Sequence, residues 1–360
     1  MDSVVNVSRF FDGQRLRQAR ELKRLTKVEL ASRVGVSAAA VSQYESGMSP
    51  RPDILVRLSQ EFSLPIEFFR LGRPKNELKP GDLYLRSLRS TTARDRARAA
   101  AFTEQVAELT MAVERHVVFP DLVLPEAEDL DPHTAAAELR EAWAVGPGPV
   151  SHLVRLIESK GIVVIFSTLG NDQVTSTIDA FSTAQTLRPV IVLTPDRADD
   201  VYRHRFTAAH ELGHLVMHAD EVQRDGSIEK EADRFAAEFL MPTDEVQDDL
   251  PGRLDWKQLN SLSHKWGVSM ASLVYRSREL GLISEATARR GFAYLNSIKP
   301  PAPPARDFPG ELPQMLTQAS QLATEVGATR ESIARDLGWP TDRITELLRV
   351  PDARPRLRLV

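Results

Sequence analysis

The chain of 360 residues contains no cysteine, so it has neither disulfide bonds nor a cysteine-ligated zinc finger. It also lacks any apolar run near the ~20 residues that span a bilayer, and its first residues lack the apolar segment of a signal peptide. These absences predict a cytoplasmic protein without a membrane partner. What is present, 42% hydrophobic and 27% charged residues, is ordinary for a globular protein of two or three domains.

The charge is distributed unevenly along the chain. Residues 1–100 contain 19 Lys and Arg against 11 Asp and Glu, a net charge of +8, whereas the whole chain has a net charge of −4. A basic segment in an acidic protein favours an anionic partner for that segment, and nucleic acid is the first candidate.

Short helices separated by turn signals occupy residues 13–72. The apolar spacing and the capping residues predict helices at 13–25, 27–34 and 38–45. Gly35 supplies a tight turn between the last two, and small and apolar residues on either side of it let these helices cross closely. This spacing is that of a helix-turn-helix. It is more specific than generic packing, and therefore disfavours the alternative of a small helical bundle used for protein contact.

The segment TKVELASRVGVSAAAVSQYESG (26–47) resembles the DNA-binding domain of Xre-type regulators, which are related to Cro and the phage repressors. The resemblance implies that the helix from Ala38 enters the major groove of a double-stranded operator, usually as part of a homodimer on a palindrome. Among the side chains implied to face the bases, Gln43 is the one capable of bidentate adenine contacts. The implied contacts are Ala38, Ala39, Ser42 and Gln43 with bases, Lys27 and Ser37 with phosphate, and Arg51 with the backbone or minor groove.

A second motif, His-Glu-Leu-Gly-His, stands at residues 210–214. Two histidines four residues apart project from one face of a helix, so both imidazoles can reach one metal ion. Glu211 between them is placed as a general base, as in zinc metallopeptidases. The motif therefore predicts a Zn²⁺ site that uses His210 and His214.

The third zinc ligand has two possible sources. A turn after the first helix would offer Asp220, but Met217 stands where such a turn needs glycine. The other source is an amphipathic helix at 228–242, on which Glu231 borders the apolar face near the helix start. Glu229 and Glu238 compete with it on the same helix and are expected to be solvated.

A third histidine, His218, follows His214 by four residues. It lies roughly 12 Å along the helix from His210, since each residue rises 1.5 Å. It therefore cannot share one zinc with both, and it is expected to be an outer contact, a helix-end contact or unimportant.

The motifs RFTAAHELGH (205–214) and EADRFAAEFLMP (231–242) together resemble the ImmA/IrrE family of metallopeptidases, over about residues 150–285. The resemblance implies His210, His214 and Glu231 as zinc ligands and Glu211 as the catalytic base. Characterised members cleave helix-turn-helix repressors, so it also implies a protein substrate of that kind. Asp233 stands where the family often has asparagine.

Strand-like segments precede the histidine motif at 161–167, 178–183 and 188–194. The edge strand of such a small sheet would pair with an extended substrate peptide, and residues 168–180 with a turn at 170–172 are a candidate rim. The predicted fold class is α+β and mostly helical: a five-helix helix-turn-helix domain, a zincin-like domain with a small sheet and the HExxH helix, and a helical C-terminal tail. The predicted domains are the helix-turn-helix domain (1–72), a helical linker (73–133), the zinc metallopeptidase domain (134–295), and a proline-rich linker with an accessory helical hairpin (296–360).

Three further segments have helical patterns. The basic stretch 86–98, continued by an amphipathic helix to about Val118, is expected either to add phosphate contacts or to be a solvated connector. Residues 256–283 and 329–348 repeat the helix-turn-helix rhythm. Because their local charge is not strongly basic, the first is expected to close the peptidase domain and the second to form the accessory hairpin.

Two functions remain open at this stage. The favoured one is a DNA-binding transcription regulator whose zinc metallo-endopeptidase domain hydrolyses peptide bonds in a helix-turn-helix repressor or in itself. The alternative is a non-proteolytic regulator whose zinc domain senses a ligand, a metal or a partner. An intact Glu211 favours the first, because nothing else requires glutamate there. The sequence does not decide among His204, Tyr202 and Arg203 as oxyanion partners.

Overall fold

The fold is given by a computed structural model. It describes residues 2–72, 77–87, 91–125, 127, 130–169, 178–195, 198–219 and 226–349. Within these ranges no helix is both long and apolar enough to cross a bilayer.

Five helices form the N-terminal part, as the sequence predicts: α1 (Asp2–Arg9), α2 (Gly13–Leu22), α3 (Lys27–Val34), α4 (Ala38–Glu45) and α5 (Pro52–Phe62). The start of α3 has a capping box, in which Thr26 and Glu29 bond each other's backbone N–H groups. Gly35 ends α3 with a φ of 67°, the left-handed conformation that glycine adopts without strain. The local signals thus place both helices of the helix-turn-helix correctly.

The middle of the chain contains strand β1 (Tyr84–Ser87), helices α6 (Ala93–Glu114), α7 (Pro132–Ala142) and α8 (Leu153–Ser159), and strands β2 (Val163–Phe166), β3 (Ile178–Thr183) and β4 (Val190–Leu193). The last three strands confirm the strand predictions. The sheet order is β1-β3-β4-β2, with β2 parallel to β4 and the other pairs antiparallel. Residues 170–177, which include the predicted turn of the rim, lie outside the described ranges.

β1 is the element that the sequence did not reveal. A helix was predicted from residue 86, but the chain is extended at 84–87 and α6 begins at Ala93. From Ala99 to Val113 nearly every side chain of α6 is buried, so the prediction of a solvated connector is wrong for that part of the helix. Arg94 and Arg96 at its start are exposed.

The remaining helices are α9 (Val201–Met217), α10 (Gly226–Leu240), α11 (Thr243–Val246), α12 (Trp256–Trp266), α13 (Met270–Glu279), α14 (Glu285–Ile298), α15 (Met315–Glu325), α16 (Arg330–Leu337) and α17 (Thr341–Leu347). The predicted C-terminal hairpin corresponds to α16 and α17, and α15 precedes it.

The sheet separates two hydrophobic cores, because successive residues of a strand face opposite sides. Val163, Val192 and Phe181 lie in one core with α1–α6 and α15–α17. Val164 and Ile191, the chain neighbours of Val163 and Val192, lie in the other core with α7–α14. The strands therefore connect the core of the helix-turn-helix part with the core around the HExxH helix.

Candidate metal centre and nucleic-acid interface

His210 and His214 lie one turn apart on α9, with their Nε2 atoms 3.1 Å from each other. Both side chains are buried, because α9 packs between the sheet and α10. Close approach of the two helices depends on Gly213: a Cβ at that position would lie 2.9 Å from the ring of Phe235 on α10. The glycine within the motif thus brings α10 up to the histidine pair.

The carboxylate that lies against both histidines belongs to Glu229, which differs from the sequence prediction of Glu231. One Glu229 oxygen lies 3.5 Å from Nε2 of His210 and the other lies 3.5 Å from Nε2 of His214. Glu231 lies instead 3.1 Å from Nε2 of His218. The physical reason is helix geometry, since two residues of separation turn a side chain by about 200° around the axis.

The sequence prediction that the two competing glutamates of α10 are solvated holds in part for Glu229 and is wrong for Glu238. Glu229 faces the histidines, and its side chain is 45% exposed. Glu238 is buried in an ion pair with Arg276 and accepts a hydrogen bond from the Thr243 hydroxyl at 2.8 Å. Glu238 therefore ties α10 to α13 rather than serving the site.

Each histidine of the pair also has a polar partner at Nδ1, the ring nitrogen that faces away from Glu229, and this partner orients the ring. Asp233 lies 2.8 Å from Nδ1 of His210, as a carboxylate that accepts an Nδ1–H and leaves Nε2 with a free lone pair. His218 ends α9, and its Nδ1 lies 3.1 Å from Nδ1 of His214. The expectation that His218 makes a helix-end or outer contact agrees with this position.

The three groups fit a zinc ion. Their potential ligand atoms all lie within 4.8 Å of one another. Metal–ligand distances near 2.0–2.2 Å in a tetrahedron require ligand atoms about 3.3 Å apart, close to the 3.1 and 3.5 Å seen here. Burial lowers the pKa of His214 to about 4, which keeps that ring neutral and able to bind a cation. Burial raises the pKa of Glu229, but the favourable interactions with His210 and His214 outweigh burial and hold this pKa well below its usual range.

Glu211 is fully buried beside this triad. The hydroxyl of Ser182 on β3 donates a hydrogen bond of 2.7 Å to its Oε2. This bond fixes the direction of the carboxylate that the sequence predicts to be the general base. Ser182 gave no signal in the sequence, because it is 29 residues from Glu211 and its role follows from the packing of β3 on α9.

Tyr84 of β1 is a second residue that sequence reasoning missed. Its ring stacks on that of His214, with centroids 4.9 Å apart and planes at 9°. Its hydroxyl donates to the backbone carbonyl of His218, and the side chain is 3% exposed. An aromatic residue that precedes α6 thus covers the C-terminal end of α9.

The three candidate oxyanion partners have contacts away from the triad. The His204 ring nitrogen lies 2.7 Å from the carbonyl of Glu311, and burial lowers the pKa of His204 to about 4. The Tyr202 hydroxyl pairs with His264 at 3.2 Å. Arg203 forms an ion pair with Asp179 of β3. Their described contacts stabilise the start of α9 rather than the part that carries His210 and His214.

The predicted base-reading helix, α4, is capped by Ser37, whose Oγ accepts from Ala40 N at 3.1 Å. Ala39 and Gln43 are exposed, and Ala38 and Ser42 are half-buried. These residues share the outer side of α4, while Val41 is buried in the core.

Two predicted backbone contacts lie at the flanks of α4. The Lys27 ammonium lies 3.1 Å from Ser42 Oγ and 3.3 Å from a Glu45 oxygen, so it is held against the helix. The Arg51 side chain is 77% exposed and 3.3 Å from Asp53. Lys27 therefore stands beside α4, and Arg51 is an exposed cation at the start of α5.

Fold and site together define a helix-turn-helix domain joined to a mixed helix-and-sheet domain with an HExxH motif and a candidate metal centre. Comparison with known proteins agrees with both parts. Residues 16–69 match the helix-turn-helix family, and residues 157–278 match the peptidase M78 family, described as the IrrE N-terminal-like domain. The chain thus contains an Xre-type helix-turn-helix domain, which indicates DNA binding, and a peptidase-family domain of the ImmA/IrrE type. The two matches confirm both resemblances.

One relative supports the regulatory half. A protein of Methanoculleus marisnigri described as an HTH-type transcriptional regulatory protein is 38% identical over 79 residues, which make up 20% of this chain. The chain spans 26% of that relative's length.

Proposed function

We propose that this chain is a DNA-binding transcription regulator whose IrrE-like domain is a zinc-dependent endopeptidase. The observation that carries the proposal is the triangle of His210, His214 and Glu229 beside Glu211, a carboxylate held in place by Ser182. A structural zinc site would use four protein ligands, whereas three ligands leave one position for water or substrate. A buried glutamate next to that open position has the place of a general base.

Zinc bound to this triad would polarise the scissile carbonyl and lower the pKa of a water molecule. Glu211 accepts the proton of the attacking water through one carboxylate oxygen while Ser182 holds the other. It then delivers that proton to the leaving amine, which completes hydrolysis of the peptide bond. Asp233 keeps the His210 proton on Nδ1 throughout, so that Nε2 stays available as a ligand atom.

The second part of the proposal is that the helix-turn-helix domain binds DNA. The exposed side of α4 carries Ala39 and Gln43; the cation of Lys27 lies against this helix, and the exposed cation of Arg51 begins the next one. In this arrangement the cations position the protein on phosphates and Gln43 reads a base edge. A homodimer on a palindromic operator is the matching assembly.

The proposed substrate is a helix-turn-helix repressor or a segment of this chain itself. The family resemblance supports the first choice. The second is supported by the packing, because a sheet whose outer strand belongs to the linker lies beside the metal centre.

The test is to purify the full chain, load it with zinc and follow cleavage of the chain and of an added repressor. Glu211→Gln is the essential variant, because the amide keeps the volume and an acceptor for Ser182 but cannot take a proton. About one zinc per chain in both forms, with cleavage lost only in Glu211→Gln, is the expected result. Glu245→Gln, in the exposed short helix α11, is the matched control. Zinc without cleavage in any form would contradict the peptidase and favour a regulator that acts through DNA alone.

A further inference from the structure

Strand β1 belongs to the linker between the two halves of the chain, yet it completes the sheet of the peptidase-family domain. It pairs antiparallel with β3, and within the described residues it has no other strand neighbour. The Cα partners are Tyr84 with Ser182, Leu85 with Phe181 and Arg86 with Ala180. Without β1, strand β3 would be the exposed edge next to the HExxH helix.

The position of β1 is that of a peptide added to a sheet edge. Such strand addition uses backbone hydrogen bonds for affinity and alternate side chains for selectivity. Here Tyr84 supplies the side-chain contact: it stacks on the proposed zinc ligand His214 and is opposite Ser182, which holds Glu211. A further bond runs from the Thr183 hydroxyl to the carbonyl of Asp82, at 2.6 Å. The linker thus occupies the strand edge and one side of the metal centre together.

The pairing that holds β1 on the sheet is short. It has four residues, and its register with β3 shifts between Arg86 and Ser87. By contrast, β2, β3 and β4 are covered by hydrophobic cores on both faces. A short, irregular edge strand is the part of a sheet that another extended chain can replace most easily.

We propose that β1 is an intramolecular and displaceable occupant of the edge on which the metal centre takes an extended substrate peptide, so that the domain is held in an autoinhibited state. This inference rests on the proposed peptidase function. Leu83, fully buried in the core shared with the helix-turn-helix part, tethers β1 to the DNA-binding half. Displacement of β1 therefore has to involve that core, which couples the two halves of the chain.

The absence of cysteine allows a direct test by a single engineered disulfide. Arg86→Cys with Ala180→Cys joins β1 to β3, because opposite residues of antiparallel strands have the Cα separation that a disulfide needs. The matched control, Ala180→Cys with Leu193→Cys, joins β3 to its inner neighbour β4 instead. Both pairs are made in the Glu211→Gln chain, so that bound peptide is not cleaved.

The readout is fluorescence anisotropy of a labelled peptide with the sequence of residues 82–89, DLYLRSLR. The reduced chains should bind it, and oxidation should abolish binding for the β1–β3 pair while leaving the β3–β4 control unchanged. Tyr84→Ala, which loses the stack on His214, should bind the peptide about tenfold more tightly or better, because the tethered competitor is weakened. Equal affinity in the oxidised and reduced β1–β3 chain, or no binding by any reduced chain, would overturn the proposal.

The same disulfide pair with Glu211 intact separates this inference from the proposed function. With zinc present, cleavage of casein should rise when the β1–β3 bond is reduced. Cleavage that does not respond to that bond would overturn autoinhibition and leave the peptidase standing. Peptide binding that responds to the bond, without any cleavage, would overturn the peptidase and leave strand exchange established.

Discussion

Glu229 and Asp233, one turn apart on α10, contact opposite nitrogens of the same histidine. Glu229 lies 3.5 Å from Nε2 of His210, and Asp233 lies 2.8 Å from Nδ1. Glu229 and Asp233 are thus four residues apart on α10, as His210 and His214 are on α9, so that each pair lies on one face of its helix. In the proposed zinc site, α9 would supply two ligands, and α10 would supply the third ligand together with Asp233, which orients His210.

This arrangement predicts which glutamate is needed for zinc. Glu229→Gln should lower zinc affinity about 100-fold or more, because it removes the ligand charge, whereas outer partners typically contribute 10–100-fold. Glu231→Gln, two residues along the same helix, is the matched control and should keep its zinc. Metal content after dialysis against a competing chelator measures both. If Glu231→Gln lost its zinc and Glu229→Gln kept it, the third ligand would be Glu231, as the sequence motif implies, and not Glu229.

Asp233 should contribute through the orientation of His210. Asp233→Ala is expected to weaken zinc binding by about 10–100-fold, because the ring loses the acceptor that fixes its tautomer. Asp233→Asn keeps an acceptor oxygen and should recover part of that loss. Chelator competition at fixed pH compares the three forms, and equal affinity of the alanine and asparagine variants would argue against the orienting hydrogen bond.

The sequence predicted the elements better than their mutual placement. The ends of α3 are set by local chemistry. Thr26 and Glu29 cap its start and Gly35 ends it, and the structure has these same caps. Three strands followed from short β-branched runs. β1 could not be found in this way, because its pairing partner β3 lies more than ninety residues further along the chain. Nothing local distinguishes 84–87 from the start of a helix.

The choice between Glu229 and Glu231 shows the same limit within one helix. The apolar period predicts that 228–242 is helical and roughly which face is buried. It does not predict how the helix is rotated against α9, which depends on the contact of Gly213 with Phe235. A rotation of a fraction of a turn decides which carboxylate reaches the histidines.

The helix-turn-helix part is joined to α6 by buried charges, and this joint can be tested. Arg15 forms an ion pair with Glu108, and both side chains are almost completely buried. Gln18 donates to Glu108 at 2.9 Å. Glu108→Ala should cost about 3–5 kcal/mol of unfolding free energy, because it leaves a buried guanidinium without its counter-charge.

The apolar double variant is the control for that joint. Arg15→Met with Glu108→Leu removes both charges and should recover most of the lost stability. Urea unfolding followed by circular dichroism compares the forms. A double variant as unstable as Glu108→Ala would show that the joint depends on hydrogen bonds that the apolar pair cannot replace.

Gln43 and Arg51 should have different effects on DNA binding. On an operator obtained by selection from random DNA, Gln43→Ala is expected to cost about 1–3 kcal/mol and to relax the preference at one base pair. Arg51→Ala should weaken binding to all sequences alike and reduce the salt dependence by about one phosphate contact. Binding titrations at several salt concentrations distinguish the two, and an unchanged preference in Gln43→Ala would remove Gln43 from the base-reading set.

Glu158 on α8 makes stability depend on pH through its position at the start of α15. It accepts hydrogen bonds from the backbone N–H groups of Gln314 and Met315, at 3.0 and 2.9 Å. Burial nevertheless raises the pKa of Glu158 to about 7, from 4.5. Because the folded chain then holds this proton more tightly than the unfolded chain, the unfolding free energy falls as pH rises from 4.5 through 7, by about 3 kcal/mol.

The amide variant isolates this effect. Glu158→Gln keeps an oxygen for the two N–H groups but does not ionise, so its unfolding free energy should lack that slope and should exceed the wild-type value at pH 8. Glu141→Gln on the exposed side of α7 is the matched control and should follow the wild type. Urea unfolding at pH 5, 6, 7 and 8 measures all three. An equal loss between pH 5 and 8 in wild type and Glu158→Gln would assign the pH dependence to other groups.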